Sequence, residues 1–222
     1  LITRHKVSLG NALPARYFER MKRLPEIEAV SYFSWFGGIY KDENFSFPQF
    51  AVDPNAIFKI LTEAKVPPEQ LKAFQAEKNA CVVGKATMDR FKWKLGEKVN
   101  LRGTFWGCNP ELIVRGVYEG GVDESNMFFR HDYFDELMGR IGITGTYWMR
   151  VKPGVQVADV IEKVDKMFAE IARVLKTAGR YLCVTLAQAH VLEKLLRAFE
   201  SGGLVRVHHV TIESPSTTGK KL

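Results

Sequence analysis

The stretch from Ala80-Cys-Val-Val-Gly-Lys85 to Lys94-Leu-Gly-Glu-Lys-Val-Asn-Leu101 constrains the fold more than any other part of the chain. Cys81 to Val83 is a short apolar, β-branched run of the kind that forms a core strand, and Lys85 to Phe91 is a short helix. Gly96 then turns the chain into a second strand through Val99 and Leu101. The same alternation recurs on both sides. Ile27 to Trp35 is rich in β-branched and aromatic residues and reads as a strand, and Phe50 and Val52 begin another. A chain that keeps switching between these periods suits neither an all-helical bundle nor a sandwich. It predicts an α+β body.

The remaining punctuation fills in the order. Pro14 is expected in the first turn of a helix running to about Leu24, where its missing N–H does no harm, and Pro25 stops it. Gly37-Gly38 opens a polar, aromatic loop toward Pro48. Asp53-Pro54 fits an N-cap followed by the first residue of a helix with Ile57, Phe58 and Leu61 on its apolar side. Pro67-Pro68 begins another helix, with Leu71 and Phe74 facing inward. Strands are expected near Leu112 to Tyr118, Asn126 to Phe129 and Thr146 to Val151, and a helix from His131 to Met138. Val157, Val160, Ile161, Val164 and Phe168 recur at helical spacing and mark the clearest amphipathic helix. Tyr181 to Phe199 is helix-compatible, Leu204 to Ile212 alternates like a strand, and Ser214 to Leu222 is expected to be mobile.

With 222 residues and 46% hydrophobic side chains, the chain can bury a substantial core and does not read as disordered. It has no continuous apolar stretch long enough to cross about 30 Å of hydrocarbon. The chain starts at Leu1, and it reads as a soluble piece of a longer protein. Cys81, Cys108 and Cys183 lack close pairing, which argues against a disulfide framework. Cys81 reads as a small buried hydrophobe, and Cys108, beside a turn, as exposed. The formal charge of +7 could attract anionic lipid or nucleic acid. No zinc-finger spacing, RNP-like strand or helix-turn-helix accompanies it, so nucleic acid is not expected as a partner.

Chemical motifs are weak. Gly84-Lys85 lacks the upstream glycine of a phosphate loop and has Ala86 where magnesium binding needs Ser or Thr. His131, Asp132, Asp135 and Glu136 are better explained by a surface helix whose acidic residues favour its N-terminal end. Only His131 and Asp135 share a face, and Asp132 and Glu136 read as a solvated like-charged pair. Adjacent side chains of His208-His209 would diverge in a strand. Ser8, Ser31 and Ser34 lack a nucleophile elbow. No cofactor, metal or catalytic residue is assigned.

The better candidate is the aromatic segment of Tyr32, Trp35, Phe36, Tyr40, Phe45 and Phe47. Tyr32, Phe36 and Phe47 can close the core, while Trp35 and Tyr40 are candidates for contact with a partner or substrate. Arg20 and Lys22, on the first helix with Arg23, extend the candidate surface toward a partner or anionic headgroups.

Several segments together resemble the extracytoplasmic core domain of MacB/FtsX-type ABC transporter permeases. They are Leu24 to Ser31 with Trp35 to Gly38, Ala80 to Leu101, Phe47-Pro-Gln-Phe-Ala-Val-Asp-Pro54, Leu112 to Tyr118, Met127 to Glu136, and Tyr147 to Val151 with the helix after it. The resemblance covers about residues 1–170 and leaves 171–222 as a divergent extension. It implies a porter-like subdomain with a smaller α/β subdomain inserted at about 50–140, and a periplasmic or extracellular position on the bacterial inner membrane. It also implies a non-catalytic role coupling membrane-helix motion to substrate or partner handling. ATP hydrolysis would then belong to a separate ABC ATPase domain or subunit. Periplasmic adaptors, peptides, lipoproteins and envelope enzymes are the partners it suggests. The alternative is a stand-alone envelope binding protein on a similar scaffold.

Overall fold

The computed structural model describes residues 1–5, 11–41, 47–121 and 123–178. The chain divides into two units, Leu1–Glu170 and Ile171–Leu222. The expected elements at Tyr181 to Phe199 and Leu204 to Ile212, His208-His209 and the tail from Ser214 lie outside the described residues.

The first elements are β1 (Ile2–Arg4), β2 (Leu13–Pro14), α1 (Tyr17–Lys22), β3 (Ile27–Trp35), β4 (Ile39–Tyr40) and β5 (Gln49–Val52). Next come α2 (Ile57–Ile60), α3 (Pro68–Ala76), β6 (Ala80–Gly84), α4 (Lys85–Phe91), β7 (Lys98–Arg102) and β8 (Glu111–Tyr118). The last are β9 (Met127–Arg130), α5 (His131–Leu137), β10 (Ile143–Thr144), β11 (Thr146–Val151) and α6 (Val157–Ala178). Nine strands form one mixed sheet in the order β1-β11-β3-β5-β9-β6-β8-β7-β4, and β2 pairs with β10 apart from it. Within the large sheet β5 runs parallel to β9 and β6 to β8; the other pairs are antiparallel.

Alternate residues on these strands feed two different layers. Ala51, Cys81, Val83, Met127 and Phe129 pack with Phe134 of α5 and with Met88 and Phe91 of α4. Their neighbours Val52, Ala80, Val82 and Phe128 pack with Ile57 of α2 and Phe74 of α3. Helix α1 joins the first layer, because Phe18 stacks on Tyr32 of β3, and Tyr32 in turn stacks on His131 of α5 at 4.0 Å. The far strand β11 reaches the same point: the Tyr147 ring lies 5.8 Å from that of Tyr32, and its hydroxyl donates to the carbonyl of Pro14 at 2.6 Å.

Two sequence expectations change in detail. Pro14 belongs to β2, paired with Ile143, and α1 begins only at Tyr17. Its carbonyl, held by Tyr147, fixes the chain in extended form just before the helix. Asp53 does not cap α2. Its carboxylate accepts from the N–H of Asn55 at 2.9 Å, and its carbonyl accepts from Ala56 and Ile57, so a tight turn intervenes before the helix. Pro67-Pro68 starts α3 as expected, with Pro68 in the first turn. In α6, Val160 and Val164 are buried, Lys163 is ion-paired with Glu26, and Val157 and Ile161 remain exposed.

Candidate functional site

Trp35 ends β3 with 46% of its surface exposed. The segment around it is fixed from within. Its carbonyl accepts from the indole N–H of Trp106 at 2.8 Å, and Thr104 donates to the carbonyl of Gly37 at 2.6 Å. Gly37 has a φ of +62°, and a Cβ there would sit 2.4 Å from the Trp35 ring, so only glycine permits both the turn and the close approach. The buried Gln49 side chain closes the turn by exchanging two hydrogen bonds with the backbone of Gly38. What remains outward is the Trp35 ring and, edge-to-face with Trp106, the ring of Phe105, which is 63% exposed.

Tyr40 is not part of that surface. It is buried, its hydroxyl accepts from the indole N–H of Trp93 at 3.2 Å, and edge-to-face contacts with Phe47, Phe91 and Trp93 surround its ring. The phenol found an internal donor, and a buried Tyr with a satisfied hydroxyl is a core residue. Phe36 and Phe47 are core as well. Arg20 and Lys22 are exposed in the last turn of α1, with the Lys22 ammonium 5.8 Å from the Phe18 ring. Strand alternation puts Trp35 on the opposite side of β3 from Tyr32, the residue that receives α1. The two halves of the expected contact surface therefore do not form one site.

A concavity lies elsewhere, on the α2 and α3 side of the sheet. It is a groove of about 560 Å³. Its floor is an aromatic series that crosses the strands. Trp148 of β11 stacks on Phe33 of β3 at 4.1 Å, Phe33 meets Phe50 of β5 at 4.3 Å, and Phe50 leads to Phe128 of β9 and then Tyr118 of β8. Phe33, Phe50 and Trp148 are only half-buried. One wall is Ile60 to Ala64, tied to the end of β8 by a pair of backbone hydrogen bonds between Lys65 and Glu119. Gly120 makes that approach possible, since a Cβ there would lie 2.8 Å from the carbonyl of Glu63 and its φ is +77°. Burial pushes the Tyr118 phenol up to about 12, so it stays protonated and donates to the carbonyl of Asp123 at 2.8 Å. That bond anchors the other wall.

The acidic helix behaves as a structural element. His131 is buried; its Nε2 lies 3.1 Å from the carbonyl of Ile143 and donates to it, and burial outweighs that bond to hold the pKa below the ordinary imidazole value, which favours the neutral ring. Asp132 and Glu136 are not a free solvated pair: Asp132 binds Arg130 and Glu136 binds Lys78. Burial raises the Asp132 pKa, but the Arg130 guanidinium together with the backbone N–H groups of Tyr133 and Asp132 outweighs it, and the net shift is downward. Asp135 accepts from the N–H of Gly142 at 2.9 Å. Among the described residues no group of three or more His, Cys, Asp or Glu side chains could hold a metal ion. Cys81 is buried as expected. Cys108 is buried too, and burial raises both thiol pKa values, which disfavours the reactive thiolate.

The site is framed by a mixed sheet layered by helices on both faces, with an aromatic groove on one of them. Residues 3–167 match the family described as the MacB-like periplasmic core domain, and the chain belongs to that family. Its fold is similar to the periplasmic region of MacB from Actinobacillus actinomycetemcomitans, with a TM-score of 0.61 at 11% identity over 77% of this chain and 82% of that one. It is also similar to the extracellular domain of the noncanonic ABC-type transporter YknZ from Gram-positive bacteria, with a TM-score of 0.52 at 14% identity over 72% and 85% of the two chains. Among curated proteins, 62 residues are 58% identical to the eEF1A lysine and N-terminal methyltransferase of Xenopus laevis, and 51 residues are 53% identical to that of Homo sapiens. Those stretches cover 28% and 22% of this chain but only 9% and 7% of the methyltransferases. No helix among the described residues is long and apolar enough to cross a membrane.

Proposed function

We propose that this chain is the extracytoplasmic domain of a MacB-like ABC transporter permease of a bacterial inner membrane, coupling movement of flanking membrane helices to the handling of a substrate or partner protein. The observation that carries this reading is the meeting of β1 and β11. They pair antiparallel at the edge of the sheet, and the amino group of Leu1 donates to the carbonyl of Met149 at 2.9 Å. A segment leading into β1 and a segment leading out of β11 therefore attach at the same end of the same edge, as insertion between two neighbouring membrane helices requires.

In this reading ATP is hydrolysed by a separate ABC ATPase domain or subunit, and the chain itself performs no chemical step. A methyl-transfer reading would rest on a stretch covering 9% or less of the methyltransferases, so no such step is assigned. The exposed Trp35 corner offers rigid contact area to a periplasmic adaptor, peptide, lipoprotein or envelope enzyme, while Arg20 and Lys22 supply charge on a separate face. Tyr40, buried against Phe47, Phe91 and Trp93, has a core role in this reading.

The test uses the full-length permease with its ATPase. Trp35→Ala, and separately the pair Arg20→Glu and Lys22→Glu, are expected to impair transport or partner binding while ATP hydrolysis by the isolated ATPase is unchanged. Normal transport and partner affinity in variants that melt like the parent would defeat the proposed contact surfaces. The aromatic groove favours a second reading, a stand-alone envelope binding protein on the same scaffold. A full-length coding sequence with an apolar span on either side of this domain decides for the permease, and its absence for the binding protein.

A further inference from the structure

We propose that the groove floored by Trp148, Phe33 and Phe50 and rimmed by Glu63 and Asp123 is a binding site for a lipophilic organic cation, an apolar body carrying one positive charge. Three observations support this. The floor is a run of half-exposed aromatic faces at 4.1 and 4.3 Å spacing, which offers both apolar area and the negative faces of the rings. The volume, about 560 Å³, falls in the range of small-molecule sites.

The third observation is charge. Among the described residues, the acidic or basic side chains lining the groove are the carboxylates of Glu63 and Asp123, in a chain whose formal charge is +7. Of the nearby cations, Arg150 is paired with Glu28 at 2.8 Å, and the ammonium of Lys65 donates to the carbonyl of Thr62 on the groove wall at 2.6 Å, which sets one positive charge against the two carboxylates. Asp123 is positioned by accepting from the N–H of Ser125 at 2.8 Å, and the next residue, Glu124, accepts from the N–H of Gly120 at 2.6 Å. A basic protein attracts anions over most of its surface. This groove reverses that preference locally.

The reversal can be measured with two probes of nearly equal size and opposite charge, tetraphenylphosphonium and tetraphenylborate, titrated into the full chain by calorimetry at fixed salt. The cation is expected to bind about 10-fold more tightly than the anion. Glu63→Gln together with Asp123→Asn keeps the hydrogen bond to Ser125, because the amide oxygen still accepts. It should reduce the cation's advantage by about 3- to 10-fold while leaving the melting temperature unchanged. Trp148→Leu retains apolar volume but removes the terminal ring, and should weaken cation binding by about 5-fold or more. Equal affinity for the two probes, or tighter binding of the anion, overturns the proposal. So does cation binding that neither variant alters, since the site would then lie elsewhere. A concentration-dependent dimer that Trp148→Leu abolishes would likewise overturn it, in favour of a second copy of the chain as occupant. None of these outcomes depends on whether the domain serves a transporter.

Discussion

The two faces of the sheet use the same strands and reach opposite results. On the α1, α4 and α5 face, Phe18, Tyr32 and His131 form a closed stack, and Phe36, Phe129 and Phe134 are almost fully buried. On the α2 and α3 face the helices cover Val52, Val82 and Phe128 but leave Phe33, Phe50 and Trp148 half open. The difference follows from helix length and position. Helix α2 has four residues and α3 nine, and α3 packs on β6 and β8, far from β11 and β3. One face is thus optimised for stability and the other retains unsatisfied aromatic surface. Exposed apolar area of that kind in a folded domain marks a contact site.

This contrast can be broken by substitution, and the largest expected effect lies on the closed face. Phe129→Ala removes a fully buried ring and should cost about 3–5 kcal/mol in chemical unfolding. Gly84→Ala probes the end of β6, because its Cβ would lie 1.9 Å from the carbonyl oxygen of Glu124. The expected loss is about 1–3 kcal/mol, with the Glu124 segment displaced. Phe33→Ala, on the open face, should cost only about 1–2 kcal/mol, since much of the ring already meets water. A loss equal to that of Phe129→Ala would mean that the groove is closed in solution, and the comparison would fail.

The smallest effect is a pH dependence confined to the closed face. Burial lowers the His131 pKa in the fold, so the unfolded chain takes up the proton first as pH falls through about 6.5. The stability associated with the neutral ring is complete above that value and declines below it, by at most about 1.4 kcal/mol per pH unit. The nearby Asp135 and Asp132 oppose the shift, and Asp132 is already paired with Arg130. Unfolding midpoints measured from pH 7.5 to 5.5 should therefore fall more steeply for the parent than for His131→Phe. Parallel curves would show that the ring does not remain neutral in the fold.

The elements were largely legible in sequence because each depends on local period and punctuation. Ile27 to Trp35, Cys81 to Val83 and Thr146 to Val151 are strands as their β-branched and aromatic content predicts. The amphipathic helix at Val157 and the proline start of α3 were equally local. The short strands β1, β4 and β10 were not legible, since two or three residues carry no measurable period and gain their strand character from a partner far along the chain. Tyr40 was misread for a related reason: its donor, Trp93, is 53 residues away. The groove was invisible because Trp148, Phe33, Phe50 and Phe128 become neighbours only when register brings them to one face. The signal that existed was parity. Phe33 and Trp35 lie two apart on one strand, and Phe50 is the cross-strand partner of Trp35.

The pairing of β1 with β11 also sets how the domain yields under load. The register runs Ile2 to Trp148, Thr3 to Tyr147 and Arg4 to Thr146, so a pull on the start of β1 against the end of β11 acts at one end of the ladder. Such a load opens the hydrogen bonds in succession, like a zipper, instead of loading all of them in shear. Three residue pairs then form a compliant hinge at the sheet's edge, while the longer β3 and β11 ladder behind it, from Thr146 to Val151, remains stiff. Tension of that kind would peel the first strand before it distorted the groove.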